Sequence, residues 1–306
     1  MSDSTPLLGG IELGGTKCVC LIGTGPNDIR VQTTLPTGTD PALTLGRLDE
    51  FLRDWQRKHE PVRALGIASF GPIELAKGSS GYGCITSTVK PGWAHTDVLG
   101  RFAHERSMPV GFNTDVNGAA LAEQRWGAAQ GLDDLAYVTV GTGIGVGLIV
   151  GGRPVFGCTH TELGHLRVAR APGDTWPGNC AFHGDCVEGL ASGPAIAART
   201  GMPAPAVLAD SPVWDVVAHA LAQLLHAVTL ATAPKRVLIG GGVTEAHSDL
   251  LVRVRKYLRE SLNGYLELDE LEAGIDRYIV PPGLRSMAGP LGALALAADA
   301  YKANQR

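Results

Sequence analysis

Apolar positions along the chain fall into two rhythms, and their alternation lays out the elements. Over residues 40–58, Leu43, Leu45, Leu48, Phe51, Leu52 and Trp55 recur at helical spacing, which predicts an amphipathic helix with its aromatics in a core. The same rhythm over residues 213–231 puts Val217, Leu221, Leu224, Leu225 and Val228 on one stripe. Further helices are expected at 95–106, from 117 onward, and at 189–200, 250–262 and 289–300. Shorter apolar runs at 62–70, stopped by Gly71-Pro72, and at 109–113, 236–239 and 278–280 read as strands. Two longer runs, 11–22 and 136–150, are interrupted by glycines and read as strand, tight turn, strand. Hairpin-joined strands ahead of the first helix and another strand after it predict a βββαβ half with a mixed sheet, not a Rossmann unit. The closing helix, rich in Ala and Leu, is placed to cross back onto the first domain.

Composition adds limits to this picture. A chain of 306 residues that is 44% hydrophobic can bury at least one large core, and its length favours two domains. The expected division is 1–115 together with a C-terminal helix at 288–304, against 116–287. With 18% charged residues, a net charge of −4 and no basic patch, a nucleic-acid or anionic-membrane partner is not expected. The first ten residues lack the basic and apolar regions of a signal peptide, and residues 136–152 are too interrupted by Thr and Gly to span a membrane. A cytoplasmic, reducing setting is expected, in which the six cysteines are thiols or metal ligands. The 41 glycines cluster in short loops, where backbone amides can approach a ligand.

Candidate chemistry concentrates in residues 161–188, TELGHLRVARAPGDTWPGNCAFHGDCVE. Cys180, His183 and Cys186 form a Cys-x2-His-x2-Cys triplet, and with an upstream histidine they make a plausible tetrahedral Zn²⁺ shell. The spacing allows His160 or His165 as the fourth ligand. A structural zinc knuckle, or two buried cysteines without metal, would account for the triplet as well. If the metal forms, it ties Glu162 and Glu188 into one rigid cluster, a polar pocket suited to a polyol or sugar. Gly14, Gly15, Thr16 and Lys17 form either an ordinary glycine hairpin or a phosphate-binding turn, and not a P-loop, because GxxxxGK[ST] is absent and a strand follows. Gly141, Thr142, Gly143 and Gly145 repeat the device, which points to an internally duplicated nucleotide-binding architecture. Gly240, Gly241 and Gly242 at a strand end leave room for a flat ring or a ribose. Asp115, at a strand exit before a strong helix start, is either a helix cap or a general base. The glycine- and serine-rich stretch 78–92 reads as a functional or mobile loop, and Trp93 as a packing anchor.

With IELGGTK, TDVN, VGTGIGVG, ELGH, CAFHGDC and IGGGV in this order, the chain resembles the ROK family of sugar kinases over nearly its whole length. ASFGPIEL, YGCITSTVKPGW and CAFHGDCVEGLASGPAI resemble its bacterial zinc-containing fructokinase branch. The resemblance implies a two-domain α/β protein of the actin-like, hexokinase-type ATPase fold (ribonuclease H-like), with a cleft between the domains. It implies ATP and hexose as substrates, Mg²⁺ and a structural Zn²⁺ as metals, and a homodimer. By it, Gly14 to Lys17 and Gly141, Thr142, Gly143 and Gly145 receive phosphates, and Gly240 to Gly242 flank the adenosine. Asp115 is the general base, and with Thr114, which can hydrogen-bond a hydroxyl, it also binds the sugar. Glu162, His165 and Glu188 hold sugar hydroxyls, and the ELGH match makes His165 the fourth zinc ligand. The family at large often has Asn-Asp where this chain has Thr114-Asp115, and Asp where it has Glu12; the fructokinase branch shares both changes. The reaction implied is fructose to fructose 6-phosphate, with glucose, mannose or an N-acetylated hexosamine as alternative acceptors and a non-catalytic ROK-type sugar-binding protein as the alternative to a kinase. The family's transcriptional repressors carry a DNA-binding motif ahead of the first glycine turn, where this sequence has ten residues before Ile11.

Overall fold

Residues 5–103, 107–272 and 274–305 are described by the computed structural model, so residues 104–106 of the helix expected at 95–106 lie outside the described residues. The chain opens with β1 (Leu8–Leu13), β2 (Lys17–Gly25) and β3 (Asp28–Pro36), then α1 (Pro41–Lys58), β4 (Ala64–Ser69), α2 (Val98–Ala103), β5 (Val110–Thr114) and α3 (Asp115–Trp126). The strands form one sheet in the order β3-β2-β1-β4-β5. β1, β2 and β3 are antiparallel, whereas β1, β4 and β5 are parallel, which is the mixed sheet the pattern predicts. α1 starts where Asp40 accepts the Leu43 N–H, has Pro41 in its first turn, and ends on Arg57 and Lys58, charges that suit a helix C-terminus. Leu45, Leu48 and Leu52 are buried against the sheet, each contributing about 1.5–3 kcal/mol. Leu43 points to solvent instead, at 52% exposure, so the core-facing stripe is narrower than the sequence spacing. Trp93 is fully buried and donates its Nε1–H to the Gly38 carbonyl at 3.1 Å, a packing anchor.

The second half holds β6 (Leu135–Val140), β7 (Ile144–Val150), β8 (Arg153–Pro154), α4 (Val187–Ala191), α5 (Gly193–Thr200), α6 (Val213–Thr232), β9 (Arg236–Gly240), α7 (Gly242–Ala246), α8 (Leu250–Leu262), α9 (Ile275–Tyr278) and β10 (Ile279–Val280). Its sheet runs β10-β9-β6-β7-β8. Again three antiparallel strands, β6, β7 and β8, adjoin two parallel ones, β9 and β10. The architecture is thus used twice. The helix expected at 189–200 is split: Ser192 is extended and accepts the Ala195 N–H, and Pro194, having no N–H of its own, cannot continue α4. Tyr278 closes α9 rather than opening a strand, and its hydroxyl meets Thr229 Oγ1 at 3.0 Å. α6 is long and apolar enough to cross a membrane, but its stripe is buried against α4 and α8.

α10 (Ala288–Asn304) returns to the first sheet. Gly10 pairs with Gly66, and Gly66 with Gly111, so three glycines stand in register across β1, β4 and β5. A β-carbon on Gly66 would lie 1.9 Å from the Ala293 carbonyl oxygen, and one on Gly111 2.4 Å from that of Leu296. The row is a trench in which the helix backbone rests directly on the sheet. Contacts divide the chain into two compact units, Met1–Gln130 with Val155–His160 and Ser286–Arg306, and Gly131–Pro154 with Thr161–Arg285.

Candidate active site

In the first unit the parallel strands end together. Leu13 is in register with Ser69, and Ser69 with Thr114, so the chain leaves β1 into Gly14 and β5 into Asp115 at one edge of the sheet. Carboxyl ends of parallel strands are where ligands bind in open α/β sheets. The Gly14 to Lys17 turn is closed by the Gly14 N–H on the Lys17 carbonyl at 3.0 Å, and leaves Gly15, Thr16 and Lys17 exposed. Thr37, fully buried, clamps it from behind: its hydroxyl donates to the Gly14 carbonyl at 2.6 Å and its N–H to that of Thr16 at 3.0 Å. Nothing in the sequence marked Thr37, because the contact spans β2 and β3.

Thr114 and not Asp115 caps α3: its buried Oγ1 accepts the Asn117 N–H at 3.2 Å. Asp115 is the first helical residue, half-buried, with Oδ1 accepting the Val116 N–H at 2.9 Å. Glu12, on β1, is a further acid at this edge, and its place just before a glycine turn is a signal that sequence reasoning could have weighted more. Burial, and secondarily the charge of Asp115, push its carboxyl up to about 7 against the opposing pull of Lys17. Gly289, at the head of α10, leaves room for it: a β-carbon there would stand 1.9 Å from Glu12 Oε1.

In the second unit His165, Cys180, His183 and Cys186 converge, their ligand atoms all within 4.8 Å of one another. Cys180 Sγ lies 3.6 Å from His165 Nδ1 and 3.7 Å from His183 Nδ1, and Cys186 Sγ lies 3.6 Å from His165 Nδ1. Tetrahedral Zn²⁺ with Zn–S of about 2.3 Å and Zn–N of about 2.05 Å requires a sulfur-to-nitrogen separation of about 3.6 Å. The three sulfur-to-nitrogen separations match that value, so the cluster has the donor set and spacing of such a site. His160 is not among them. It is buried in the first unit, where its Nε2 accepts the Ile73 N–H at 3.0 Å.

With Nδ1 toward the sulfurs, His165 turns Nε2 to Glu188, 4.0 Å from Oε1. The other Glu188 oxygen accepts the Ile144 N–H at 3.0 Å, so one carboxylate joins the metal loop to the second glycine turn. That turn is closed by the Gly141 N–H on the Gly143 carbonyl, and the Gly193 N–H at the start of α5 holds the Gly141 carbonyl at 2.8 Å. Thr142 is exposed, whereas Gly145 lies within β7 opposite Thr139. Gly164, between Glu162 and His165, is pressed on the same turn: a β-carbon there would sit 1.7 Å from the Ile144 carbonyl oxygen, so only glycine fits. Glu162 is exposed beside it, its carbonyl accepting the His165 N–H. Gly240 ends β9, Gly241 adopts φ +99° against the Val140 carbonyl, and Gly242 begins α7, a short helix the sequence pattern did not show. Both glycine runs of this unit thus meet at the carboxyl ends of the parallel neighbours β6 and β9.

A fructokinase of Pediococcus pentosaceus is 40% identical over 296 residues, covering 97% of this chain and 99% of that one. A fructokinase of Streptococcus mutans is 38% identical, covering 95% and 97%. The crystal structure of a ROK hexokinase from Thermus thermophilus superposes with a TM-score of 0.76 at 26% identity, over 97% of this chain and 99% of that one. The fold is that of the actin-like ATPases to which such sugar kinases belong. The ROK family profile matches residues 8–300, and the chain, with its duplicated sheets and its His-Cys cluster beside a glycine turn, belongs to the ROK family.

Proposed function

We propose that the protein is a fructokinase that transfers the γ-phosphoryl group of ATP to D-fructose, giving fructose 6-phosphate. The observation that carries the choice of sugar is end-to-end identity of 38–40% to chains named fructokinase. Asp115 takes the proton of the attacking primary hydroxyl, a role open to it because Thr114 performs the capping. Glu162, His165 through Nε2, and Glu188 through Oε1 hold other sugar hydroxyls. The backbone amides of the two glycine turns receive phosphate oxygens, and Gly240 to Gly242 flank the adenosine. His165, Cys180, His183 and Cys186 would hold Zn²⁺, which supplies a fixed tether for the loop that carries the sugar contacts. Mg²⁺ arriving with ATP supplies charge neutralisation on the transferred group, so the chain's own task is positioning and proton acceptance. The reading includes a cytoplasmic homodimer, as the family resemblance implies, and light scattering in solution checks the assembly.

The direct test is an ADP-coupled kinase assay over fructose, glucose, mannose and N-acetylglucosamine, with and without a zinc chelator. Fructose should give the highest kcat/KM, and chelation should lower it. A higher kcat/KM with any other hexose rejects the assignment.

A further inference from the structure

The span from Leu166 to Asn179, which joins His165 to the Cys180 turn, contains no helix or strand. Such a segment is expensive to order unless something pins it. Near its middle stands Asp174, whose side chain is 7% exposed. Arg199, at the end of α5, grips it with both terminal nitrogens, Nη1 to Oδ1 and Nη2 to Oδ2, each at 2.9 Å. Arg170 donates Nη2 to the same carboxylate at 2.9 Å and Nη1 to Asp185 Oδ2 at 3.0 Å. Asp185 lies between His183 and Cys186. The Trp176 N–H donates to Asp174, its carbonyl accepts from Arg170, and the Arg199 guanidinium lies 4.5 Å from its ring centroid. Arg167 Nη1 also lies 3.5 Å from Asp185 Oδ1, so three guanidiniums face the two carboxylates. Burial pushes the Asp174 carboxyl up, yet the hydrogen bonds from Arg199, Arg170 and Trp176 hold it down at about 2.

We propose that Asp174 is a positioning residue for the metal cluster: with Arg199 and Arg170 it fixes both the span leading from His165 and the turn carrying Cys180, His183 and Cys186. The proposal rests on the zinc reading above, and its test does not depend on which sugar is phosphorylated. Removing one member of a buried charge network leaves its partners uncompensated, so the span loosens and the ligands lose their preset geometry. Groups that support metal ligands typically change affinity by 10- to 100-fold when removed, and the loss here is expected at about tenfold.

The experiment follows zinc release from the purified, zinc-loaded protein to a chromogenic chelator. Asp174→Asn should release zinc about tenfold faster than the parent. Its hexose KM should rise and return toward the parent value as zinc in the buffer is increased, while its ATP KM stays unchanged. A general loss of stability would lower the folded fraction, and with it kcat, without raising the hexose KM alone. Asp185→Asn leaves the Asp174–Arg199 pair whole and weakens the holds of Arg170 and Arg167 on the ligand turn, so it too should release zinc faster. Release within about twofold of the parent by either variant, with a parent-like circular dichroism spectrum, overturns the proposal. A parent that holds no zinc removes the metal reading and this proposal together. A parent that holds zinc but phosphorylates no hexose removes the fructokinase reading alone, and the release rates still decide the role of Asp174.

Discussion

Replacing Glu188 by glutamine should separate two tasks performed by one side chain. In the parent, Oε2 accepts the Ile144 N–H at 3.0 Å, while Oε1 stands 4.0 Å from His165 Nε2. The second distance is too long for a hydrogen bond, yet a hydroxyl oxygen placed between the two atoms can bond to both. Glutamine retains one acceptor oxygen. Ile144 is only 4% exposed, and an orphaned buried amide costs about 1–3 kcal/mol, so the carboxamide oxygen should stay on Ile144 and turn its NH₂ toward His165. A sugar hydroxyl that donated to the charged Oε1 then meets a donor. A hydrogen bond to a charged group contributes about 1.5–3 kcal/mol, and each 1.4 kcal/mol is about tenfold, so the fructose KM should rise by about 10- to 100-fold. The ATP KM should stay within about twofold, since the second glycine turn keeps its anchor. Glu188→Ala removes both bonds, and both constants should rise. Initial rates with each substrate varied in turn read this directly. An unchanged fructose KM in Glu188→Gln, or an equal rise in both constants, refutes the division of labour.

Three further outcomes are expected. Asp115→Ala should lower kcat by at least about a hundredfold with fructose as acceptor, the low end for a general base, and a near-normal rate would exclude it from proton transfer. Gly66→Ala would put a β-carbon 1.9 Å from the Ala293 carbonyl oxygen and 2.5 Å from the Ala297 nitrogen, both helix backbone, so α10 must lift. Such overpacking costs about 1–3 kcal/mol and should lower Tm by about 3–10 °C in a calorimetric scan; an unaltered Tm would mean the trench is not close-packed. Glu12, pushed up to about 7, binds its proton more tightly folded than unfolded. Stability therefore falls as pH rises from the ordinary carboxylate range to about 7 and is flat beyond it; discounted for its partial solvent access, the loss is about 1–2 kcal/mol. Glu12→Gln should abolish that slope in urea titrations, and a parent curve that climbs across the same window would show the sign to be wrong.

What the sequence disclosed was local. The helix over 40–58 carries its own cap and periodicity, the two strand-turn-strand devices carry their own glycines, and Cys180, His183 and Cys186 carry their spacing; each was legible because cause and effect lie within a short stretch. What stayed hidden was long-range. Thr37 clamping a turn two strands away, Glu188 reaching back to Ile144, and Arg199 holding Asp174 are bonds between residues 21 to 44 positions apart that follow no period. The break at Ser192 was hidden for a different reason. An apolar stripe continues from α4 into α5, and periodicity outweighed the missing N–H of Pro194. Asp115 and Thr114 show the finest limit, since either could cap a helix by type and only the backbone at the end of β5 decides between them.

The trench of Gly10, Gly66 and Gly111 also bears on how the protein comes into being. Its occupant is encoded near the C-terminal end of the chain, so a ribosome completes nearly all of the second unit before it makes the helix that the first unit requires. The half synthesised earliest is the half finished last. Until residues 288–304 emerge, one face of β1, β4 and β5 lacks its cover, a state in which nascent chains attract chaperones or one another. Translation stalled before Ala288 should therefore leave a protease-sensitive first unit beside a resistant second one.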